Sequence, residues 1–422
     1  MPTTAQAFPP RQGPRPLAFH LASAMTSLMS SLAVLPTVPS ASAPWSGEQR
    51  AKGTELAAAL QGVAPAEFQA AVGVEILNRL GAMMTGIEAY RRHSYQRDLP
   101  EPPLLWQEGT TRLLDYGAEI DPGAPTALFV PSLVNRGYVL DLKPGRSLLR
   151  WLASQGLRPL LVDWGAPGAA EREFGLKDYI AGRLERALDA ALAGGGPVAV
   201  VGYCMGGNLA LALALRRQRQ LAALALLATP WDFHAAQADQ ARLFASGAAT
   251  IDVILEAFGE LPVDLLQVFF ASLDPTLALK KFGAFARLAA AGPKAARRAE
   301  EFVALEDWLN DGVPLVPRVA RECLVGWYGE NTPGRGLWRL AGEIVDAGRL
   351  ELPSLVVVPA SDRIVPPQSA RALAALIPGA ETMTPPSGHI GMVVGSSAEH
   401  GLWQPLATWL HRQLTPAAAK SA

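Results

Sequence analysis

Cysteine is nearly missing from this chain of 422 residues: there are two, Cys204 and Cys323. They are too few for a disulfide framework and form no Cys-x-x-Cys pair, which fits a reducing cytoplasm. No grouping of His, Cys, Asp and Glu has metal-ligand spacing. Asp232 and His234 read as the polar entry to a loop, and no metal is expected. A charge imbalance is also missing. Lys and Arg number 37 against 38 Asp and Glu, with no long run of one sign. That removes the electrostatic basis for a nucleic-acid partner. No internal repeat is present, which excludes a solenoid. The longest apolar run, Leu17 to Leu35, is interrupted by His20 and several Ser and Thr residues, so no transmembrane span is expected.

Half the residues are apolar, and the length suffices for one elaborated domain or two. Arg11 and Arg15 ahead of the apolar run, with Ala41-Ser42-Ala43 behind it, have the layout of a signal peptide. Pro44 just past the cleavage point and the polar interruptions weigh against export. Leu17, Leu21, Met25, Leu28, Leu32 and Leu35 recur every three or four residues. This predicts an amphipathic helix, which either lies on an apolar surface or packs on the chain's own core.

Residues 1 to 16 and 36 to 50 are rich in Pro, Ser, Thr and Ala and read as loose, while 51 to 95 read as helical. A partly helical extension therefore covers 1–103. Alternation of strand and helix begins near Leu104. Strands are expected at Thr126 to Val130, Pro159 to Val162, Pro197 to Val201 and Leu221 to Leu227. Helices are expected at Ser147 to Ser154 and Leu176 to Leu192. This alternation predicts a parallel sheet covered by helices. It stops at Trp231 and resumes near Leu352, with a strand at Leu355 to Val358 and helices at Ser369 to Leu376 and His400 to Leu414. The expected division is a catalytic core of 104–230 and 343–415, with a helical cap inserted at 231–342.

The richest stretch is Val-Val-Gly-Tyr-Cys-Met-Gly-Gly, from Val200 to Gly207. It has the Gly-x-Nuc-x-Gly form of a nucleophile elbow, with cysteine as the nucleophile, between an apolar strand and an Ala/Leu-rich helix. Gly202 and Gly206 are needed where backbones approach closely. The helix N-terminus behind Cys204 favours a thiolate and a developing oxyanion. Asp362 follows the strand that ends at Val358, and His389 lies in Pro-Ser-Gly-His-Ile before the last helix. The chain order nucleophile, acid, histidine is that of the α/β-hydrolase fold. Cys204, His389 and Asp362 are the expected catalytic triad. Met205, after the nucleophile, supplies one expected oxyanion N–H. Leu133 or Val134, after an early strand, supplies the other. Cys323 reads as a packing residue.

Together these residues resemble the poly(3-hydroxyalkanoate) synthases. Gly202-Tyr203-Cys204-Met205-Gly206-Gly207 is similar to their cysteine version of the lipase box. Val134 to Leu142, Asp163-Trp164-Gly165, Asp178-Tyr179-Ile180, Thr229 to Phe233 and Glu306-Asp307-Trp308 resemble further family segments. Several of these match the short class III catalytic subunit. One position departs: Arg363 stands where the family usually has histidine after the acid. The resemblance covers about residues 104 to 414. It implies a cytoplasmic acyltransferase at the surface of a polyester granule. The substrate would be an (R)-3-hydroxyacyl-coenzyme A, with no cofactor beyond that thioester. A homodimer or a second synthase subunit would be the protein partner. In the family, the acid at Asp362 is thought to help activate the chain-end hydroxyl. A thioesterase or polyester depolymerase on the same scaffold is the alternative, and a non-catalytic granule-surface subunit is a second.

Overall fold

The computed structural model describes residues 11–35, 47, 49–236 and 247–415. Ala41–Ala43 and much of the two Pro-rich stretches lie outside the described residues. The chain forms two compact units: residues up to Gln96 with Gln267–Asn310, and Arg97–Leu266 with the residues from Asp311 onward.

The first unit is helical. It contains α1 (Leu17–Val34), α2 (Arg50–Ala59) and α3 (Pro65–Arg92), with the later helices Leu277–Ala290 and Ala296–Asn310. On α3, Ile76, Met83, Ile87 and Tyr90 recur at helical spacing and are buried. They pack with Phe282, Phe285 and Val303, and Phe285 stacks on Phe302 with ring centres 4.2 Å apart. By length and composition alone, α1 could cross a membrane. Its stripe instead turns to this unit: Leu28 is buried, and Leu17, Leu21 and Leu32 pack beside it. Burying one such side chain is worth roughly 1.5–3 kcal/mol. Met25, expected in the same stripe, points outward with Met29, and each is about half exposed.

The Glu306-Asp307-Trp308 segment serves this unit. Asp307 accepts from the Tyr90 hydroxyl (2.9 Å) and from Arg11 Nε (2.7 Å), and the buried Glu306 pairs with Lys281 at 2.7 Å. The division cuts across the boundaries expected from sequence. Residues 267–310 fall inside the anticipated 231–342 insertion, yet share their apolar core with α1 and α3. The N-terminal unit also ends at Gln96 rather than at 103. Which apolar face meets which is decided in three dimensions, and helical periodicity does not encode it.

The second unit is built on an eight-stranded sheet. Its strands are β1 (Leu104–Glu108), β2 (Thr111–Asp115), β3 (Thr126–Val130), β4 (Arg158–Asp163), β5 (Val198–Tyr203), β6 (Ala223–Leu227), β7 (Ser354–Val357) and β8 (Glu381–Met383). They lie in the order β1-β2-β4-β3-β5-β6-β7-β8. β1 with β2 and β2 with β4 are antiparallel, and every other pairing is parallel. The central strands β3, β5 and β6 are buried at every position, as continuous apolar runs in a covered parallel sheet should be. Helices α4 (Leu148–Ser154), α5 (Glu185–Leu192) and α6 (Met205–Arg217) connect them. Residues Met205 to Ala214 of α6 are all buried, so this helix runs through the core.

The expected strands appear within one or two residues of their predicted ends. Three features were not anticipated. The β1–β2 hairpin reads in sequence as two short Leu clusters split by Gly109. β8 is short and largely exposed, so no apolar run marks it. The helices expected to start at Leu176 and His400 open with wide i→i+5 turns, at Asp178–Leu184 and Glu399–Trp403, and a third spans Glu322–Gly329. The buried Asp141 accepts from Arg97 and Arg150, each at 2.8 Å, and from the Tyr116 hydroxyl at 3.2 Å. A buried carboxylate needs such partners.

Candidate active site

The parallel strands β3, β4, β5, β6 and β7 deliver their C-terminal ends to one edge of the sheet. Open α/β sheets bind ligands at this edge. β5 ends at Tyr203, and α6 begins at Met205. Cys204 between them has φ 56° and ψ −130°. A non-glycine residue there costs on the order of 1–3 kcal/mol, so the turn holds the cysteine against its own backbone preference. The Cys204 N–H donates to Leu227 O on the neighbouring strand at 2.9 Å, which fixes the tip.

The glycines of the elbow are required by close approach. A Cβ on Gly206 would lie 2.0 Å from Val130 O, and one on Gly207 would lie 1.8 Å from Thr229 Oγ1. The sequence pointed to Gly202 and Gly206; Gly207 carries the same constraint. Gly206→Ala is expected to lower stability by at least about 1–3 kcal/mol, because backbone must move to admit the methyl. A fall in the urea midpoint with an unchanged m-value checks this. A midpoint equal to wild type would mean that β3 and α6 can separate freely.

Asp362 lies in the loop after β7 and is buried, while the adjacent Arg363 is exposed. Its Oδ1 accepts the N–H groups of Ile364 (2.9 Å) and Val365 (2.8 Å). Its Oδ2 is left for His389 Nδ1, at 2.7 Å. That bond makes Nδ1 the protonated nitrogen and turns Nε2 to the nucleophile. The Cys204 sulfur lies close enough to the His389 ring to act on its charge. Burial opposes charge on the imidazole, but the Cys204 sulfur and the Asp362 carboxylate outweigh it. Together they push His389 up to about 10. The structure thus brings Cys204, His389 and Asp362 together, with His389 hydrogen-bonded to Asp362.

Sequence reasoning missed Tyr203. Its hydroxyl donates to the His389 carbonyl at 3.3 Å, and its ring lies 5.2 Å from the imidazole, tilted by 30°. Its place beside the nucleophile, on a strand that ends at the site, was the available signal. Trp164 was noted only within a similar segment. Its Nε1 donates to Pro131 O at 3.0 Å, anchoring the loop after β3.

That loop holds both Leu133 and Val134. The Val134 N–H donates to Ser132 Oγ at 3.1 Å, and its carbonyl accepts from Val313. The Val134 N–H is thus taken up within its own loop. Met205 is the first residue of α6, so its N–H precedes the helix's own ladder. Cys323 is fully buried, and burial pushes its thiol well up, as a packing residue requires. Asp232 and His234 are joined within a loop, as expected: the His234 N–H donates to Asp232 Oδ1 at 3.0 Å.

A family model described as the alpha/beta hydrolase fold matches residues 128–396. The chain belongs to the α/β-hydrolase fold family. Within that fold it is similar to poly(3-hydroxyalkanoate) polymerase subunits. The protein of Haloferax mediterranei is 28% identical over 313 residues, covering 72% of this chain and 63% of the relative. That of Allochromatium vinosum is 29% identical over 314 residues, covering 72% of this chain and 86% of the relative. That of Synechocystis is 29% identical over 320 residues, covering 72% and 83%. The match thus spans less than two thirds of the Haloferax protein and more than four fifths of the other two. In α/β-hydrolase terms, Cys204 occupies the nucleophile position, Asp362 the acid position and His389 the histidine position.

Proposed function

We propose that the chain is a poly(3-hydroxyalkanoate) synthase, which polymerises (R)-3-hydroxyacyl-coenzyme A and releases coenzyme A. The observation that carries this reading is a cysteine on a strained elbow, beside a histidine that a buried Asp holds. The polymerase relatives point the same way. His389 Nε2 takes the thiol proton, and the Cys204 sulfur attacks the thioester carbonyl. The N–H groups of Met205 and Leu133 receive the oxyanion. When the intermediate collapses, the carbon–sulfur bond to coenzyme A breaks, and its sulfur takes the proton from His389. The acyl group is then a thioester on Cys204. Exchanging one thiolate for another is nearly balanced, which suits cysteine better than serine for repeated transfer. The 3-hydroxyl of the acyl chain on Cys204, deprotonated by the His389–Asp362 pair, attacks the carbonyl of an incoming acyl-coenzyme A; that thioester's carbon–sulfur bond breaks, coenzyme A leaves with the proton from His389, and the chain on Cys204 is longer by one ester bond. No cofactor is needed beyond the substrate's own coenzyme A.

The assembled triad argues against a purely structural granule subunit. The polymerase relatives favour polymerisation over hydrolysis. The enzyme works in the cytoplasm at the surface of its polyester, with Met25 and Met29 of α1 among the apolar groups turned outward. The experiment is to incubate the full chain with (R)-3-hydroxybutyryl-coenzyme A, following thiol release and sizing the product. Coenzyme A release with high-molecular-weight polyester, and co-sedimentation of the protein with it, is expected. Stoichiometric free 3-hydroxybutyrate would replace the reading with a thioesterase, and polymer binding without thiol release would replace it with a structural role.

A further inference from the structure

One buried group beside His389 has no part in the steps above. Tyr203 ends β5, next to Cys204, and is 3% exposed. Its ring and the His389 imidazole have centres 5.2 Å apart and planes 30° apart. Two rings side by side in one plane would collide at that separation, so here the faces oppose each other at a tilt. The Tyr203 hydroxyl donates to the His389 carbonyl at 3.3 Å. Burial and the negative charges of Cys204 and Asp362 raise this phenol well above its ordinary value, so it keeps its proton and stays a donor. The loops of the acid and the histidine are also joined to each other. The Ala360 N–H donates to Pro385 O (2.9 Å) and the Ser361 N–H to Ser387 O (3.0 Å). His389 is thus held from the acid side by these bonds and by Asp362, and from the nucleophile side by Tyr203.

We propose that Tyr203 is a positioning residue for His389: its ring keeps the imidazole in place beside Cys204 and favours the imidazolium that exists once the thiol has given up its proton. The inference goes beyond the synthase reading and rests only on the pairing of Cys204 with His389. It holds whether the acyl group passes to a hydroxyl or to water. The reason is electrostatic. The face of an aromatic ring is the negative side of its quadrupole, and a cation within about 6 Å of the ring centre is attracted to it. The charged groups that act on His389 are the Cys204 sulfur and the Asp362 carboxylate, and both favour the same cation against burial. Asp362 acts at the edge of the imidazole, through Nδ1, whereas Tyr203 acts on its face. Burial strengthens the attraction, because little water competes for the cation. The hydroxyl adds a tether at the histidine's own carbonyl. A leucine in this position would fill the space and supply neither.

The test is the titration of His389 in the full-length protein, followed by NMR after selective isotope labelling of histidine. The chain has six histidines, and the His389 signal is the one lost in His389→Ala. Tyr203→Phe serves as the reference, and para-fluoro- and trifluoro-phenylalanine placed at the same position by stop-codon suppression drain the ring face of charge at nearly constant size. The His389 midpoint is expected to fall stepwise along this series, by about 0.5–1 unit in all. Tyr203→Leu should lower it at least as far. A ring that merely fills space predicts the same midpoint throughout, and superimposable titrations overturn the inference even if Tyr203→Leu fails to fold. A wild-type His389 that titrates at or below its ordinary 6.5 overturns both the inference and the pairing on which it rests. A stepwise fall in a protein that yields free hydroxyacid in place of polymer upholds the inference and overturns the synthase reading alone.

Discussion

Replacing Cys204 by alanine is expected to abolish coenzyme A release, a loss on the order of 10⁴–10⁶-fold. Among the described residues no other group in the site is placed to carry the acyl chain: Cys323 is buried, with its thiol pushed well up by that burial. The fold should persist, because the Cys204 backbone bond to Leu227 O does not involve the side chain. Cys204→Ser should keep at most a small residue of activity. Its hydroxyl holds its proton far more tightly than a thiol and demands a stronger base. Thiol release measured beside the thermal midpoint separates lost chemistry from lost structure. An alanine variant of near-normal turnover would end the covalent mechanism.

The second large effect belongs to the pair behind the nucleophile. With His389 replaced by alanine, nothing in the site accepts the Cys204 proton. Alkylation of Cys204 by iodoacetamide at pH 7 should then fall by about tenfold or more, since the thiolate is the nucleophile and the imidazole no longer takes its proton. Thiol release should fall further, since the leaving coenzyme A also loses its proton donor. The pH dependence has a definite sign. His389 is raised from 6.5 to about 10, so its charged form is favoured in the folded protein. The stability this contributes is fully present below about 6.5 and is lost as the pH rises toward about 10. The stability gap between wild type and His389→Ala should therefore narrow over that window. A gap that widened would contradict the charged pair.

Asp362→Asn is expected to slow polymer growth more than first acylation. The Ile364 and Val365 amides can still hold the amide oxygen, but the imidazolium loses its counter-charge. Equal, mild losses in both steps would remove the proposed role of Asp362 in activating the chain-end hydroxyl.

Much of the site was legible in the sequence, because an elbow is a local device. Glycines flanking a reactive residue, an apolar strand before it and an apolar helix after it are all adjacent in the chain. The acid and the histidine follow in order, each just past or just before an element whose periodicity marks it. Those signals located Cys204, Asp362 and His389. They also gave the parallel sheet, since β3, β5 and β6 are continuous apolar runs of strand length.

Tertiary structure decided everything that depends on which surfaces meet. Only there is the Val134 N–H seen to be taken up by Ser132 Oγ. Only there does Tyr203 become a support for His389, some 186 positions later in the chain. The α1 stripe had two consistent readings, because an apolar face does not name its partner. The structure seats Leu28 on the helical unit and turns Met25 outward. Residues 267–310 likewise read as part of one insertion, yet share a core with helices from the first hundred residues. Periodicity fixes which residues of an element face inward. It does not say against what, since burial of apolar area is favourable against any complementary face.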